Sequence, residues 1–288
     1  ALYLNRHDTP FHPWNFDGVQ MRGVDAPLQV RFGDDLVLMG YDLTSSTLAS
    51  DQPVTLTLYW RVAQPPATNY SIGVHLVDAW GRLYGQADHQ HPNAYPTSLL
   101  QTDEFIRDRY TFTPFAGTPP GDHYTLLVTA YEEGTGQHTE VWDSGGQWRG
   151  TAYPLTEAAV ARPEDFPAPD SLPIVQRLDA DLEAGLRLLG TGDLPTSAEV
   201  GRDVLITLFW QAQTPSSRDS VIRLELADGA GAVAARTEAP PGRADLPTSQ
   251  WLAGEIIRDG HSFFIPAARF DDSARALESF TEAVEAYE

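Results

Sequence analysis

Apolar and polar residues alternate with a period of two along most of this chain. In Val54–Val62, the residues Val54, Leu56, Leu58, Trp60 and Val62 fall on one side; Thr55, Thr57, Tyr59 and Arg61 fall on the other. That is the period of a half-buried strand. Tyr70–Asp78 repeats it, with Tyr70, Ile72, Val74 and Leu76 facing inward. Leu36–Leu43, Arg82–Asp88, Phe105–Thr113, Tyr124–Glu132 and His138–Trp142 read as further strands. Turn chemistry separates them: Pro65-Pro66, Trp80-Gly81, Thr118–Asp122 (TPPGD) and Gly134–Gly136. No helix-length segment lies between them, which excludes a parallel α/β sheet. Half-buried strands need a second apolar layer. The predicted fold is therefore all-β and antiparallel, a sandwich of the immunoglobulin-like or jelly-roll-like kind. A barrel would use the same pattern.

The pattern occurs twice. LTLYW (Leu56–Trp60) returns as ITLFW (Ile206–Trp210), and HLVDAWG (His75–Gly81) as ELADGAG (Glu225–Gly231). YPTS (Tyr95–Ser98) returns as LPTS (Leu246–Ser249), and FIRD (Phe105–Asp108) as IIRD (Ile256–Asp259). A period this long exceeds any solenoid unit and has the length of a domain. The sequence thus predicts two tandem sandwiches: residues 1–157 with an N-terminal arm, a Pro-rich linker over 158–177, and residues 178–288 as a truncated or divergent second copy. Val204, Ile206, Leu208 and Trp210, then Ile222, Leu224 and Leu226, repeat the inward stripes. The C-terminal run supports two readings. Leu277, Phe280, Val284 and Tyr287 make a helical stripe, whereas FTEAVEAYE (Phe280–Glu288) echoes YTLLVTAYE (Tyr124–Glu132). The repeat favours a strand, because tertiary context overrides local propensity. Glu282 would then stand in the inward place of Leu126.

Composition narrows the chemistry. The net charge is -21, and all 19 cationic residues are Arg. Such a surface argues against nucleic acid and anionic lipid, both of which need a positive field. Cys is absent, which removes disulfides, thiolate metal sites and cysteine nucleophiles. No apolar run reaches membrane-spanning length, so no membrane contact is expected through these residues, and a monomer is expected. Both ends read as cuts within a longer protein.

Each candidate residue has a structural reading beside a functional one. Trp60 and Trp210 face inward and read as core. Asp108 and Asp259 are the acids fixed by the repeat, and a structural role is expected, in a turn or bonded to Arg107 or Arg258. The PTS turns read as hydroxyl caps on their own backbone. The unrepeated residues are the better site candidates. Asp88, His89 and His91 could present two imidazoles and a carboxylate to a metal, although that spacing is unspecific. His75 lies on the non-core parity, opposite a Glu in the second copy. Trp80, Trp142 and Trp148 lie at predicted loop tips, where aromatic rings can stack on sugars. No phosphate loop, dinucleotide fingerprint, HExxH or GxSxG is present, and no cofactor is implied.

The run GYDL, LTLYWR, YSIGVHLVDAWGRL, YPTS, FIRD and PPGDHYTLLVTAYEEGTG within Asp34–Gly136 resembles a soluble module of large bacterial envelope proteins. These include polytopic glycosyltransferases of the dolichyl-phosphate-mannose type from Chloroflexus-like bacteria. The second copy keeps Trp251 and Gly254-Glu255 of that pattern but lacks the PPG turn. The resemblance implies an extracytoplasmic β-sandwich without a transferable catalytic motif. The expected function is a non-catalytic scaffold or a recognition module for a glycan or an envelope protein. The alternatives are a polysaccharide-acting enzyme with paired carboxylates and a plain spacer.

Overall fold

The computed structural model describes Phe16 and residues 21–195, 203–227, 233–264 and 285–287. Chain contacts divide it into two units, Ala1–Phe115 with Asp122–Ala161, and Ala116–Gly121 with Arg162–Glu288. In the first unit the strands are β1 (Ala26–Phe32), β2 (Leu36–Leu43), β3 (Thr47–Leu48), β4 (Val54–Val62), β5 (Tyr70–Val77) and β6 (Leu83–His89). They continue with β7 (Phe105–Phe112), β8 (Gly121–Glu132), β9 (Val141–Trp142), β10 (Trp148–Gly150) and β11 (Tyr153–Val160). In the second unit they are β12 (Gln176–Asp181), β13 (Leu186–Thr191), β14 (Asp203–Ala212), β15 (Val221–Ala227), β16 (Val233–Ala239), β17 (Ile256–Phe264) and β18 (Glu285–Tyr287).

The first unit holds two sheets, ordered β10-β9-β1-β2-β4-β7 and β3-β11-β8-β5-β6. β1–β2, β1–β9, β9–β10, β2–β4, β4–β7, β5–β6 and β5–β8 pair antiparallel, and β3 runs parallel to β11. Leu56, Leu58 and Trp60 of one sheet and Ile72, Val74 and Val128 of the other enter a single core with no exposed surface. The alternation explains this. One face of each strand is apolar, and two such faces close on each other in a sandwich-like arrangement. The opposite face of β4 is covered as well: Tyr59 and Met39 pack under Met21, with Phe16 and Val24 beside them. Phe16 also lies 5.8 Å from Phe105. Phe16, Met21 and Val24 thus form an apolar cover, and Tyr59 of β4 is buried on the face opposite the core.

The second unit repeats the strand order as β12-β13-β14-β17 and β16-β15-β18. Its irregularities repeat too. Register shifts at Leu38/Gly40 and at Leu188/Gly190 interrupt equivalent pairs. Gly40 and Gly190 have φ of 157° and 155°, and an added Cβ would meet a backbone carbonyl at 2.7 Å and 2.2 Å respectively. Only glycine fits such a bulge. At the C-terminus Glu285–Tyr287 is a strand on β15, with Val221 opposite Tyr287 and Ile222 opposite Ala286. In the first unit Ser71 lies opposite Tyr131 and Ile72 opposite Ala130. The repeat therefore prevails over helical propensity at this strand; Leu277, Phe280, Glu282 and Val284 lie outside the described residues.

Two expected boundaries move. β11 runs to Val160, and Ala158 and Val160 are buried in the first core, so the strand extends into the segment expected as linker. β12 begins at Gln176, ahead of the expected start at residue 178. Among the described residues, no helix is long and apolar enough to cross a membrane.

Candidate functional site

The repeated aspartates are fully buried, each on the core-facing side of its strand. Asp108 Oδ1 accepts from His89 Nδ1 at 2.7 Å and from the Asn93 backbone N–H at 2.9 Å; Oδ2 accepts from the Tyr110 hydroxyl at 2.6 Å. The His89 ring stacks on Tyr110 at 4.1 Å. The Asp108 hydrogen bond holds the His89 imidazolium above the ordinary histidine range, against the opposing effect of burial. Burial, then the Asp108 charge, drives the Tyr110 phenol well up. Asn93 and Ala94 take φ of 50° and 57°, so Asp108 anchors a left-handed stretch of loop to the core. Asp259 is built differently. Its Oδ2 accepts from Trp210 Nε1 at 2.9 Å and from His261 Nε2 at 2.6 Å, and its buried Oδ1 has no partner. In the first unit the equivalent indole nitrogen, Trp60 Nε1, is buried without a hydrogen-bond partner. Arg107 and Arg258 directly precede the two aspartates in their strands and so point to the opposite face.

The PTS turns also work differently from expectation. Thr97 Oγ1 accepts from the Tyr70 backbone N–H at 2.8 Å, and Thr248 Oγ1 from that of Ser220 at 2.9 Å. Ser98 N donates to Asn69 Oδ1 and Ser249 N to Asp219 Oδ1, both at 3.1 Å. These hydroxyls staple a distant loop to the start of β5 or β15 rather than capping their own turn. Glu104 and Glu255 play matching parts, each accepting the backbone N–H three residues earlier.

The proposed metal ligands are not gathered. Asp88 and His89 are adjacent in β6 and face opposite sides of the sheet. Asp88 accepts from Gln86 and lies 3.3 Å from His75, whereas His89 is bound to Asp108. His91 Nε2 lies 4.0 Å from Glu133. Among the described residues no group of three or more His, Cys, Asp or Glu has metal-holding geometry. His75 and Asp88 instead converge over Gly73, where an added Cβ would meet Asp88 Oδ1 at 2.8 Å and His75 Nε2 at 3.0 Å. The equivalent surface of the second unit carries two cross-strand ion pairs, Arg223–Glu238 and Arg236–Glu225.

The tryptophans fall into two places. Trp80 is 67% exposed at the β5–β6 tip, under the Arg82 guanidinium at 5.0 Å. Asp78 shapes that tip by accepting from Trp80 N and Arg82 N. Trp142 and Trp148 lie opposite each other across β9 and β10, at the other end of β5, about 25 Å away at strand rise. One ligand ring cannot stack on both Trp80 and Trp142.

Trp142 lines a groove of 280 Å³. The β1–β2 turn supplies Gly33 and Asp34, the start of β5 supplies Tyr70, and the end of β8 with its following loop supplies Glu132 and Gln137–Glu140. Arg31, paired with Trp142 across β1 and β9, holds its guanidinium 4.7 Å from the indole centroid and fixes the ring. Burial comes first among the causes that raise the Tyr70 phenol, followed by its hydrogen bond to Asp35 and the charges of Asp35, Glu132 and Asp34. Most of this lining was not singled out from sequence, because its parts lie about a hundred positions apart. The available signal was that its loop belongs to the unrepeated set.

Comparison with models of known protein families finds no match, and comparison with curated proteins finds no significant relative.

Proposed function

We propose that this chain is a non-catalytic tandem β-sandwich region, immunoglobulin-like or jelly-roll-like in each copy, that recognises a glycan through its first unit. The observation carrying this reading is the groove at Trp142. There an orientated indole adjoins a row of polar groups, the usual composition of a saccharide site. Trp142 and the Gln137–Glu140 segment of the groove belong to the unrepeated set, whereas the inward stripes that the two copies share are framework. The resemblance to extracytoplasmic modules of bacterial envelope proteins supports this reading, in which the chain works outside the cytoplasm as a monomer without a cofactor. The test is a glycan array probed with the wild type, Trp142→Ala and Trp80→Ala. Binding that Trp142→Ala abolishes and Trp80→Ala spares supports the groove. Binding lost only in Trp80→Ala moves the site to the opposite tip. A blank array with capture of a purified envelope protein supports protein recognition, and no binding at all leaves a spacer.

A second reading is an enzyme acting on polysaccharide, favoured by the carboxylates of Asp34, Glu132 and Glu140 around one groove. Glycoside hydrolysis needs two such groups flanking the bond. Mass spectrometry of glycans incubated with the wild type and Glu132→Gln checks it. Cleavage products that disappear with the variant would replace the binding reading with a catalytic one.

A further inference from the structure

One sheet edge is closed in the first copy and open in the second. β1 pairs with β9, Arg31 opposite Trp142 and Phe32 opposite Val141, and Gly33 N donates to Glu140 O at 2.8 Å. β12 is the equivalent strand of the second copy. It pairs with β13 as β1 pairs with β2, with the same register shift, so Val30 and Arg31 correspond to Ala180 and Asp181. Phe32 lies opposite Leu36, and Leu182 donates its N–H to Leu186 O at 2.8 Å, so these two correspond as well. Among the described residues, however, no strand pairs with the outer side of β12.

Burial records the difference. Val30 and Phe32 are 2% and 0% exposed, in one core with Val141 of β9 and with Leu155, Ala158 and Val160 of β11. All six residues of β12 are exposed, Leu178 and Ala180 among them, and Leu182 is only partly buried. A bare edge with an apolar stripe is a template for another strand. Because the Leu182 N–H points to β13, alternation turns the Asp181 and Glu183 N–H groups outward. Asp179, at φ 50°, stands in the register shift between Arg177 and Ala180. Such a bulge interrupts pairing and confines an added strand to the Ala180–Glu183 end.

We infer that this end of β12 accepts an extended, basic segment of a partner polypeptide. The segment runs antiparallel, with apolar residues opposite Leu182 and Ala180 and Lys or Arg opposite Asp181. The apolar places follow the example of Val141 in the first copy. The basic place follows from a reversal of charge. Where Arg31 meets an indole in the first copy, the second presents Asp181, its side chain 66% exposed. Asp181 Oδ1 accepts from Gln213 at 2.7 Å and lies 3.5 Å from Arg187. Asp170 and Asp179 lie beside Arg177, Asp179 also faces Arg187, and Glu183 follows the strand. Four carboxylates thus meet two guanidinium groups, on a chain of net charge -21. Opposite charges across a strand pair stabilise it.

The experiment is hydrogen exchange of the full chain with a synthetic dodecapeptide centred on Val-Lys-Val, and with Val-Glu-Val and Thr-Lys-Thr versions. Val-Lys-Val should slow exchange at Asp181 and Glu183 and bind about fivefold tighter than Val-Glu-Val. Thr-Lys-Thr should bind more weakly than Val-Lys-Val. Asp181→Lys should reverse the order of the Lys and Glu peptides. Glu183→Pro removes an outward N–H at the first position of a short helical turn, where proline fits. It should abolish the protection while leaving the unfolding midpoint in place. Equal binding of the Lys and Glu peptides, or protection only away from β12, would overturn the inference. So would sedimentation as a dimer with β12 protected in the chain alone, which would make a second copy the occupant.

Discussion

Asp108 and Asp259 occupy one place in one fold, yet they are satisfied by different neighbours. In the first unit the carboxylate is turned toward His89, Asn93 and Tyr110, and the Trp60 indole N–H is left alone. In the second it is turned toward Trp210 and His261, and one carboxylate oxygen is left alone. The residue two positions on decides much of this, tyrosine in one copy and histidine in the other. The first unit uses its aspartate to hold a surface loop; the second uses its aspartate to hold its own core. A repeated residue therefore marks a shared position and not a shared role.

The largest effect that can be set on this comparison is loss of either core tryptophan. Trp60→Ala and Trp210→Ala should each destabilise by about 3–5 kcal/mol through lost contacts and a cavity, read as a shift in the denaturant midpoint. A negligible shift for Trp60→Ala would contradict its burial. Replacement by phenylalanine separates the two. Trp210→Phe removes a bond to a buried carboxylate, which contributes about 1.5–3 kcal/mol, and Trp60→Phe removes none. Equal losses would show that Asp259 gains nothing from the indole N–H. A subtler contrast lies in pH. The folded-state pKa of His89 is raised above 6.5 by Asp108, so its contribution is full below about pH 6.5 and fades as pH rises through the raised value. The stability margin of the wild type over His89→Gln should therefore shrink toward alkaline pH, and a margin independent of pH would break the assignment. The smallest effect belongs to the ion pairs on the outer face of the second unit. Arg223→Gln should change stability by about 0.2–1 kcal/mol in the same unfolding assay, and a larger loss would give that face more than a solvent-exposed role.

The strands and their inward stripes were legible because period-two alternation is a local signal. Trp60, Trp210 and the C-terminal strand followed from it and from the repeat together. What was not legible depends on which way neighbouring side chains point and on which distant loops meet. Arg107 was a natural partner for Asp108 by adjacency and is ruled out by the pleat; Tyr110, two positions on, shares its face and binds it. Asp88 and His89 fail as joint metal ligands for the same reason. Trp142 was marked as unrepeated, but Tyr70, Asp34 and His138 could not be, because nothing local ties Asp34 to a loop a hundred residues later. The cover over Tyr59 was hidden in the same way, since alternation predicts a solvent-facing side that Phe16, Met21 and Val24 in fact close.

The two aspartates also bear on how this chain finds its fold. Tandem copies with near-identical strands can exchange them while folding, and β17 could dock on β4 in place of β7. Apolar contacts alone would hardly resist the exchange, since LTLYW and ITLFW present almost the same surface. The buried carboxylates would resist it. A misplaced Asp259 would bring His261 where the His89 ring expects Tyr110 to stack, and a misplaced Asp108 would bring Tyr110 in place of the imidazole that Asp259 holds. Each copy thus carries a polar password in its core that its sibling's strand does not match.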